Sequence, residues 1–227
     1  MTFTRYAIYY APPADAAWSR WATQWLGWDM EAGAEVAHPE VGDLDVTTIT
    51  ATPRKYGLHA TMKPPMRLAE RTDEAALRAA CVALADSQAP VRLEGLQIER
   101  LGRFLALRPV GDVAALNTLA AACVTELDGF RAPAPAAEIE KRRAAGLSAE
   151  QDAYLTQWGY PYVLDQFRFH ITLTGKLPKG ELPRVEDFLA TALVPLLPQP
   201  FVITDLALMG EDAEGRFHLI QRYVLAA

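Results

Sequence analysis

The stretch RFHITLTG, residues 168–175, decides the predicted fold, because it has one apolar and one polar face when read as a β-strand. With the residue before it, the apolar face carries Phe167, Phe169, Ile171 and Leu173. The opposite face carries Arg168, His170, Thr172 and Thr174. A strand with this pattern packs its apolar face on the core and turns the histidine and threonines toward solvent or a cleft.

A second stretch, KYGLHATMK at 55–63, repeats this pattern. Its polar face carries Lys55, Gly57, His59, Thr61 and Lys63. Of the four histidines in the chain, only His59 and His170 are followed by threonine two positions later. The His-x-Thr pattern therefore occurs twice, in two predicted strands far apart in the chain.

The elements around the two motifs also repeat in order. The first unit has a strand at 5–11, a helix at 14–27, the strand 57–63, a helix from Thr72 as N-cap to Ser87, and a strand after Pro90. The second unit has strands at 102–109, 166–176, 201–210 and 215–225, with helices at 113–129 and 184–193. This order predicts an α+β fold of duplicated β-α-β-α-β units, in which two mainly antiparallel sheets surround a central cleft and the helices lie outside.

We expect one bilobal domain over residues 1–227. Lobe one, about 1–101, carries His59, and lobe two, about 102–227, carries His170. A helical insertion at about 131–165 interrupts lobe two; it opens with a Pro/Ala linker and contains a capping box formed by Ser148 and Gln151. The insertion is either a lid over the cleft or a packed excursion that supports one lobe.

Composition narrows the function. The chain has 227 residues, of which 51% are hydrophobic and 22% charged, and its net charge of −6 argues against DNA or long RNA as a partner. No signal peptide and no apolar run long enough to span a membrane is visible, so we expect a cytoplasmic protein without a membrane partner. Cys81 and Cys123 lie in apolar helical patterns typical of buried cysteines.

Two imidazoles facing one cleft suit phosphodiester chemistry. One neutral ring accepts a proton from the attacking group, and the other, protonated, donates one to the leaving oxygen. Threonine hydroxyls two residues on would hold phosphate oxygens, and basic residues flank both motifs. Two alternatives remain: a metal centre, for which His-x-His or His-Glu-x-x-His spacing is missing, and histidines that only bond neighbouring strands. No Gly-rich phosphate loop is present, which disfavours a kinase.

The paired motifs resemble those of the 2H phosphoesterase superfamily, which includes RNA 2′,3′-cyclic phosphodiesterases. The segments RKYGLHATMKPP and WGYPYVLDQFRFHITLTGK are similar to a bacterial branch described as phosphonate-metabolism proteins. The resemblance implies metal-independent action on cyclic or other phosphodiesters, without a cofactor. It implies catalysis by His59 and His170 and phosphate binding by Thr61 and Thr172.

We therefore expect a phosphoesterase that acts on a small cyclic sugar or nucleotide phosphate, in phosphonate metabolism by the resemblance. The candidate substrate-binding residues are Tyr56, Lys63, Arg168, Thr174 and Lys176. The expected partner is a small phosphorylated substrate, and not DNA or RNA; the oligomeric state is not determined by the sequence, and a monomer is expected. The alternatives are a non-catalytic binding protein for a phosphorylated or phosphonate metabolite, and an RNA-end 2′,3′-cyclic phosphodiesterase.

Overall fold

The structure is a computed structural model that describes residues 2–226. Its strands are β1 (Arg5–Tyr10), β2 (Trp28–Asp29), β3 (Ala34–Glu35), β4 (Ala60–Met66), β5 (Val91–Leu93), β6 (Gly95–Leu101), β7 (Phe104–Val110), β8 (Ile171–Thr172), β9 (Phe201–Ile203), β10 (Asp205–Glu211) and β11 (Phe217–Val224). Its α-helices are α1 (Ala17–Leu26), α2 (Val46–Thr50), α3 (Glu74–Asp86), α4 (Ala114–Glu126), α5 (Ala136–Arg143), α6 (Ala149–Trp158) and α7 (Leu182–Ala192). The predicted α+β class with antiparallel sheets is confirmed.

Two antiparallel sheets carry the two motifs. The larger sheet has the order β11-β10-β1-β4, and the smaller has the order β6-β7-β8. In each sheet the strand that follows the motif histidine lies at one edge and pairs with one neighbour, β4 with β1 and β8 with β7. The sheets therefore present the two motifs in equivalent positions.

The two halves of the chain exchange strands. Strands β10 and β11 come from the second half but pair in the sheet of β1 and β4, whereas β6 comes from the first half and pairs with β7. A further ladder, β5 with β9, also joins the halves. The sheets therefore do not divide the chain at residue 101, where the sequence places the boundary between lobes.

Strand β1 lies between two apolar clusters, because its successive side chains point to opposite faces of the sheet. Its even residues Tyr6, Ile8 and Tyr10 lie in the main core with the buried faces of α1, α3, α4 and α7. Its odd residues Ala7 and Tyr9 lie in a smaller cluster on the other side. The period of two thus gives this buried strand one face toward the helices and one toward the site.

Several predicted boundaries differ from the structure. The strand predicted at 166–176 is paired only over Ile171–Thr172. The N-cap of α3 is Asp73, whose carboxylate accepts from the amide of Ala76, and not Thr72, whose hydroxyl instead donates to the carbonyl of Ala69. The insertion does contain two helices, α5 and α6, and the capping box at the start of α6 is present.

Candidate active site

The two motif histidines come together at one cavity of about 560 Å³. His59 immediately precedes β4 and His170 immediately precedes β8, so equivalent strand ends deliver both rings. Both threonines of the predicted quartet, Thr61 and Thr172, also line this cavity. These four residues, which belong to two strands far apart in the sequence, therefore line one cavity.

Backbone carbonyls orient the ring of His59. Its Nδ1 lies 3.1 Å from the carbonyl oxygen of Gly57, and because a carbonyl can only accept, Nδ1 must carry the proton. In the neutral ring Nε2 is therefore the free base, and it lies 3.2 Å from Oγ1 of Thr61, which donates to it. The motif thus presents an unprotonated nitrogen next to a hydroxyl.

The surroundings of His59 disfavour its protonated form. The ring is 8% exposed and stacks on Tyr9 with 3.8 Å between ring centroids. Burial lowers the pKa of His59 from its usual 6.5 to about 4, and the nearby charge of His170 also lowers it, against an opposing effect of the bond to Gly57. At neutral pH this imidazole is uncharged in the unliganded protein.

His170 repeats the same backbone arrangement. Its Nδ1 lies 2.7 Å from the carbonyl oxygen of Arg168, two residues earlier, so Nδ1 again carries the proton and Nε2 is the nitrogen left for chemistry. Burial lowers the pKa of His170, and the positive charge of Arg108 lowers it further, while the bond to Arg168 opposes this. Arg108 is held nearby by donating to the carbonyl of Phe169 and to Glu99.

Only some of the other predicted substrate-binding residues lie at the histidine cavity. Tyr56 lines the cavity, and its ring meets His59 edge to face at 5.5 Å. Arg168 borders an adjoining pocket that also contacts Thr61 and His170, and its guanidinium donates to the carbonyls of Asp165 and Phe167. Lys63, Thr174 and Lys176 do not line the histidine cavity.

Lys63 is turned away from the cavity by an irregularity in β4. Thr61 pairs with Tyr9, but the next partner along β1, Ile8, pairs with Lys63, so an extra residue interrupts the alternation. The side chain of Lys63 is consequently buried, and its Nζ donates to the carbonyl of Val124 at 2.9 Å. The predicted role of Lys63 in substrate binding is therefore wrong, because the bulge moves its side chain to the core.

Thr174 and Lys176 lie beyond the end of β8. The hydroxyl of Thr174 accepts from the amide of Leu105 and donates to the carbonyl of Gly175, so this buried side chain completes the hydrogen bonds of the strand end. The side chain of Lys176 is exposed outside the cavity. The simple alternation predicted for 166–176 fails here because the ladder stops at Thr172.

Sequence reasoning missed three residues of the cavity wall on β1 and β10. Arg5 and Tyr9 lie on the odd face of β1, and Glu211 ends β10; all three line the cavity. Arg5 forms a two-pronged ion pair with Glu211, and the bond to that carboxylate raises the pKa of Arg5. The odd-residue alternation of RYAIYYA is the signal that could have identified Arg5 and Tyr9.

The insertion contributes to the cavity as well. Arg142 of α5 and Tyr160, which follows α6, line it together with the motif residues. The guanidinium of Arg142 lies 4.8 Å from the centre of the Tyr160 ring. The insertion is therefore a wall of the site, although the basic run KRR at 141–143 does not by itself indicate which of its cations reaches the cavity.

Neither a metal-binding cluster nor a membrane-spanning helix occurs among the residues that the structure describes. Among residues 2–226, no group of three or more His, Cys, Asp or Glu side chains is arranged to hold a metal ion. In the same range, no helix has both the length and the apolar character needed to cross a membrane.

Solved structures similar to this chain include one described as a phosphoesterase, with a TM-score of 0.44 and 14% identity. E. coli LigT complexed with 3′-AMP matches over 100% of both chains, with a TM-score of 0.46 and 17% identity. The protein TT0787 of Thermus thermophilus matches over 98% of both chains, with a TM-score of 0.42 and 20% identity.

Curated relatives match at higher identity. A protein of Janthinobacterium sp. (strain Marseille), named ribose 1,5-bisphosphate phosphokinase PhnN, is 39% identical over 224 residues, which are 94% of this chain and 49% of the relative. A protein of the same name from Laribacter hongkongensis (strain HLHK9) is 35% identical over 220 residues, 97% of this chain and 51% of the relative. The chain spans about half the length of these relatives.

One family matches most of the chain. Its match covers residues 61–218, from the first motif threonine to β11, and so includes the second motif and the insertion. The chain therefore belongs to the family described as "Protein of unknown function (DUF1045)".

Proposed function

We propose that this protein is a phosphoesterase that opens a small cyclic phosphodiester by acid–base catalysis with His59 and His170. The observation that carries the proposal is the shared geometry of the two rings. Each Nδ1 is bonded to the carbonyl two residues earlier, and both rings line one cavity with Thr61 and Thr172. Each ring thus keeps its Nε2 for proton transfer.

We assign the base to His59 and the acid to His170. The pKa of His59, about 4 through burial, keeps its Nε2 unprotonated at neutral pH. His170 is less buried, and a bound phosphodiester anion raises the pKa of an imidazole beside it, which favours its protonated form in the complex.

His59 and His170 carry out both proton transfers of the proposed reaction. A water oxygen attacks phosphorus while its proton passes to Nε2 of His59, so one P–O bond forms. The ring ester P–O bond breaks, and the leaving oxygen takes the proton from Nε2 of His170. On substrate binding the hydroxyl of Thr61 leaves Nε2 of His59 and donates to one non-bridging oxygen, and the hydroxyl of Thr172 donates to the other, where charge develops. Exchange of protons with solvent restores both rings.

The names of the relatives favour a small sugar phosphate over an RNA end. The relatives are named for a kinase of ribose 1,5-bisphosphate, but this chain matches only half of them and its sequence has no Gly-rich phosphate loop. We therefore infer from the name that the substrate is a phosphorylated ribose of phosphonate metabolism. We do not infer that this chain carries out the kinase reaction.

Turnover of cyclic nucleotide and cyclic ribose phosphates by purified protein in excess EDTA tests the proposal. We expect hydrolysis by the wild type, and losses of about 10²–10⁴-fold in kcat for His59→Ala and for His170→Ala. The double variant should lose little more than either single one, because the two groups act as a unit. His38→Ala, a histidine outside the cavity, is the control.

Three results would contradict the proposal in different ways. Tight binding of these ligands without any turnover would favour a binding protein. Activity lost in EDTA and restored by one divalent ion would show metal-dependent chemistry. Equal activity of the wild type and both single variants would assign the histidines a structural role.

A further inference from the structure

A second cavity of about 460 Å³ opens beside the histidine cavity, and the insertion builds most of it. It is lined by Arg5, Glu138, Lys141, Arg142, Ala145, Leu147, Pro161 and Tyr162. Two of these residues, Arg5 and Arg142, also line the histidine cavity. The two spaces therefore meet at a pair of guanidinium groups.

Cations predominate in this second cavity. Its charged lining comprises Arg5, Lys141 and Arg142 against the single carboxylate of Glu138. That carboxylate also faces Arg67 at 3.5 Å, so two guanidinium groups share its charge. Because Glu211 pairs with Arg5, the positive charge left for an anionic ligand comes from Lys141 and Arg142.

Arg5 and Arg142 differ in how far their donors are used. Arg5 gives two donors to Glu211, so its guanidinium is committed to that ion pair. Arg142 gives one donor to Glu138, at 3.1 Å, and its buried Nε has no hydrogen-bond partner within residues 2–226. A guanidinium has five N–H groups, so Arg142 retains donors at the junction of the cavities.

The position of Arg142 is defined by its neighbours. Its side chain is 29% exposed, and its guanidinium lies 4.8 Å from the ring centre of Tyr160. Stacking on Tyr160 and the bond to Glu138 already restrict the conformations of this long side chain. Binding a ligand therefore costs less conformational entropy than it would for a free arginine. A guanidinium held in this way is suited to bidentate recognition of a phosphate.

We propose that the second cavity binds a non-reacting phosphate group of the substrate, and that Arg142 is the residue that positions it. This inference rests on the proposed function, because it describes the substrate of the same site. The substrate class is then a small cyclic phosphodiester that carries a second phosphate as a monoester. The insertion selects this class by supplying Arg142 and Lys141.

The test compares two ligands that differ by one phosphate. Ribose 1,5-bisphosphate and ribose 1-phosphate are titrated by calorimetry into the wild type, Arg142→Gln and Arg143→Gln. Arg143 is the matched control, since it neighbours Arg142 on α5 and lines neither cavity but pairs with Asp152 and Glu140. Both substitutions remove one positive charge from the same helix.

We expect the wild type and Arg143→Gln to bind the bisphosphate roughly tenfold to hundredfold more tightly than the monophosphate, as for hydrogen bonds to a charged group. Arg142→Gln should bring this ratio close to one, with a much smaller loss of affinity for the monophosphate than for the bisphosphate. If Arg142 only supported α5, the substitution would weaken the binding of both ligands alike.

A ratio near one in the wild type, or a ratio that Arg142→Gln leaves intact, would overturn the inference. So would an equal loss of both affinities, which would mean that Arg142 serves the reacting phosphate or the fold. If Arg142→Gln does not fold, as judged by thermal unfolding, Lys141→Gln replaces it, and an unchanged ratio in that variant overturns the inference. A large wild-type ratio without hydrolysis of any cyclic phosphodiester would refute the proposed function and support the phosphate site.

Discussion

The free energy of unfolding should depend on pH through His59. Burial beside Tyr9 lowers the pKa of this ring from 6.5 to about 4, so the folded state resists a proton that the unfolded chain accepts. Between these two pH values the unfolded state binds more protons than the folded state, and stability therefore falls as the pH falls.

The size of the effect follows from the two pKa values. Integrating the difference in proton binding from pH 7 to pH 5 gives a loss of about 2 kcal/mol for this one group. The full difference, reached below pH 4, is about 3 kcal/mol. His59 is nearly buried, so solvent screens this effect little.

The assay is urea unfolding of the wild type and of His59→Asn at pH 7 and pH 5. Asparagine keeps a side-chain N–H that can donate to Gly57, but it does not titrate in this range. All other groups, His170 included, are common to both proteins. We expect the wild type to lose about 2 kcal/mol more than the variant between the two pH values. Equal losses would refute the argument that burial keeps His59 neutral.

Three further predictions concern the site and its support. Thr61→Val should lower kcat/KM by roughly tenfold to hundredfold through loss of one charge-assisted hydrogen bond, and an unchanged steady-state rate would remove that threonine from phosphate binding. Phe169→Ala should destabilise the fold by about 3–5 kcal/mol in urea unfolding, because this buried ring packs near Tyr10 and Phe201; a loss below about 1 kcal/mol would contradict a core role. Burial lowers the pKa of Lys63 from 10.5 to about 8, so the unfolded state binds more protons than the folded state between these pH values. From pH 7 to pH 9.5 the free energy of unfolding of the wild type should therefore rise by about 2 kcal/mol more than that of Lys63→Met. Equal pH slopes for the two proteins in urea unfolding would contradict this.

The period-two pattern of the sequence predicted most of what surrounds the second motif. Phe169, Ile171 and Leu173 are all buried, whereas His170 and Thr172 reach the cavity. The prediction succeeded because a buried face on one side of a strand constrains every second side chain. The same argument placed the first motif histidine and threonine correctly.

The pattern fails where the backbone departs from a regular ladder. Lys63 lies next to a bulge and Thr174 lies beyond the end of a ladder. The neighbouring Pro64, Pro65 and Gly175 are typical of such irregularities, but they do not determine which side chain turns away from the cavity. Arg142 was missed for another reason. A short helix rich in charged residues looks like a solvated helix, and only its packing places one of its three consecutive cations at the cavity.

The exchange of strands between the two halves governs how the site can form during synthesis. The sheet that carries the first motif needs β10 and β11, which pair with β1 across almost the full length of the chain. When only the first half has been synthesised, β1 can pair with β4 but lacks β10 on its other side. Such long-range pairing slows folding and leaves strand edges unpaired meanwhile. The nascent chain must consequently wait for β10 and β11 before the cavity of His59 and His170 can form, and cutting the chain near residue 101 should leave two fragments that form this cavity only when mixed.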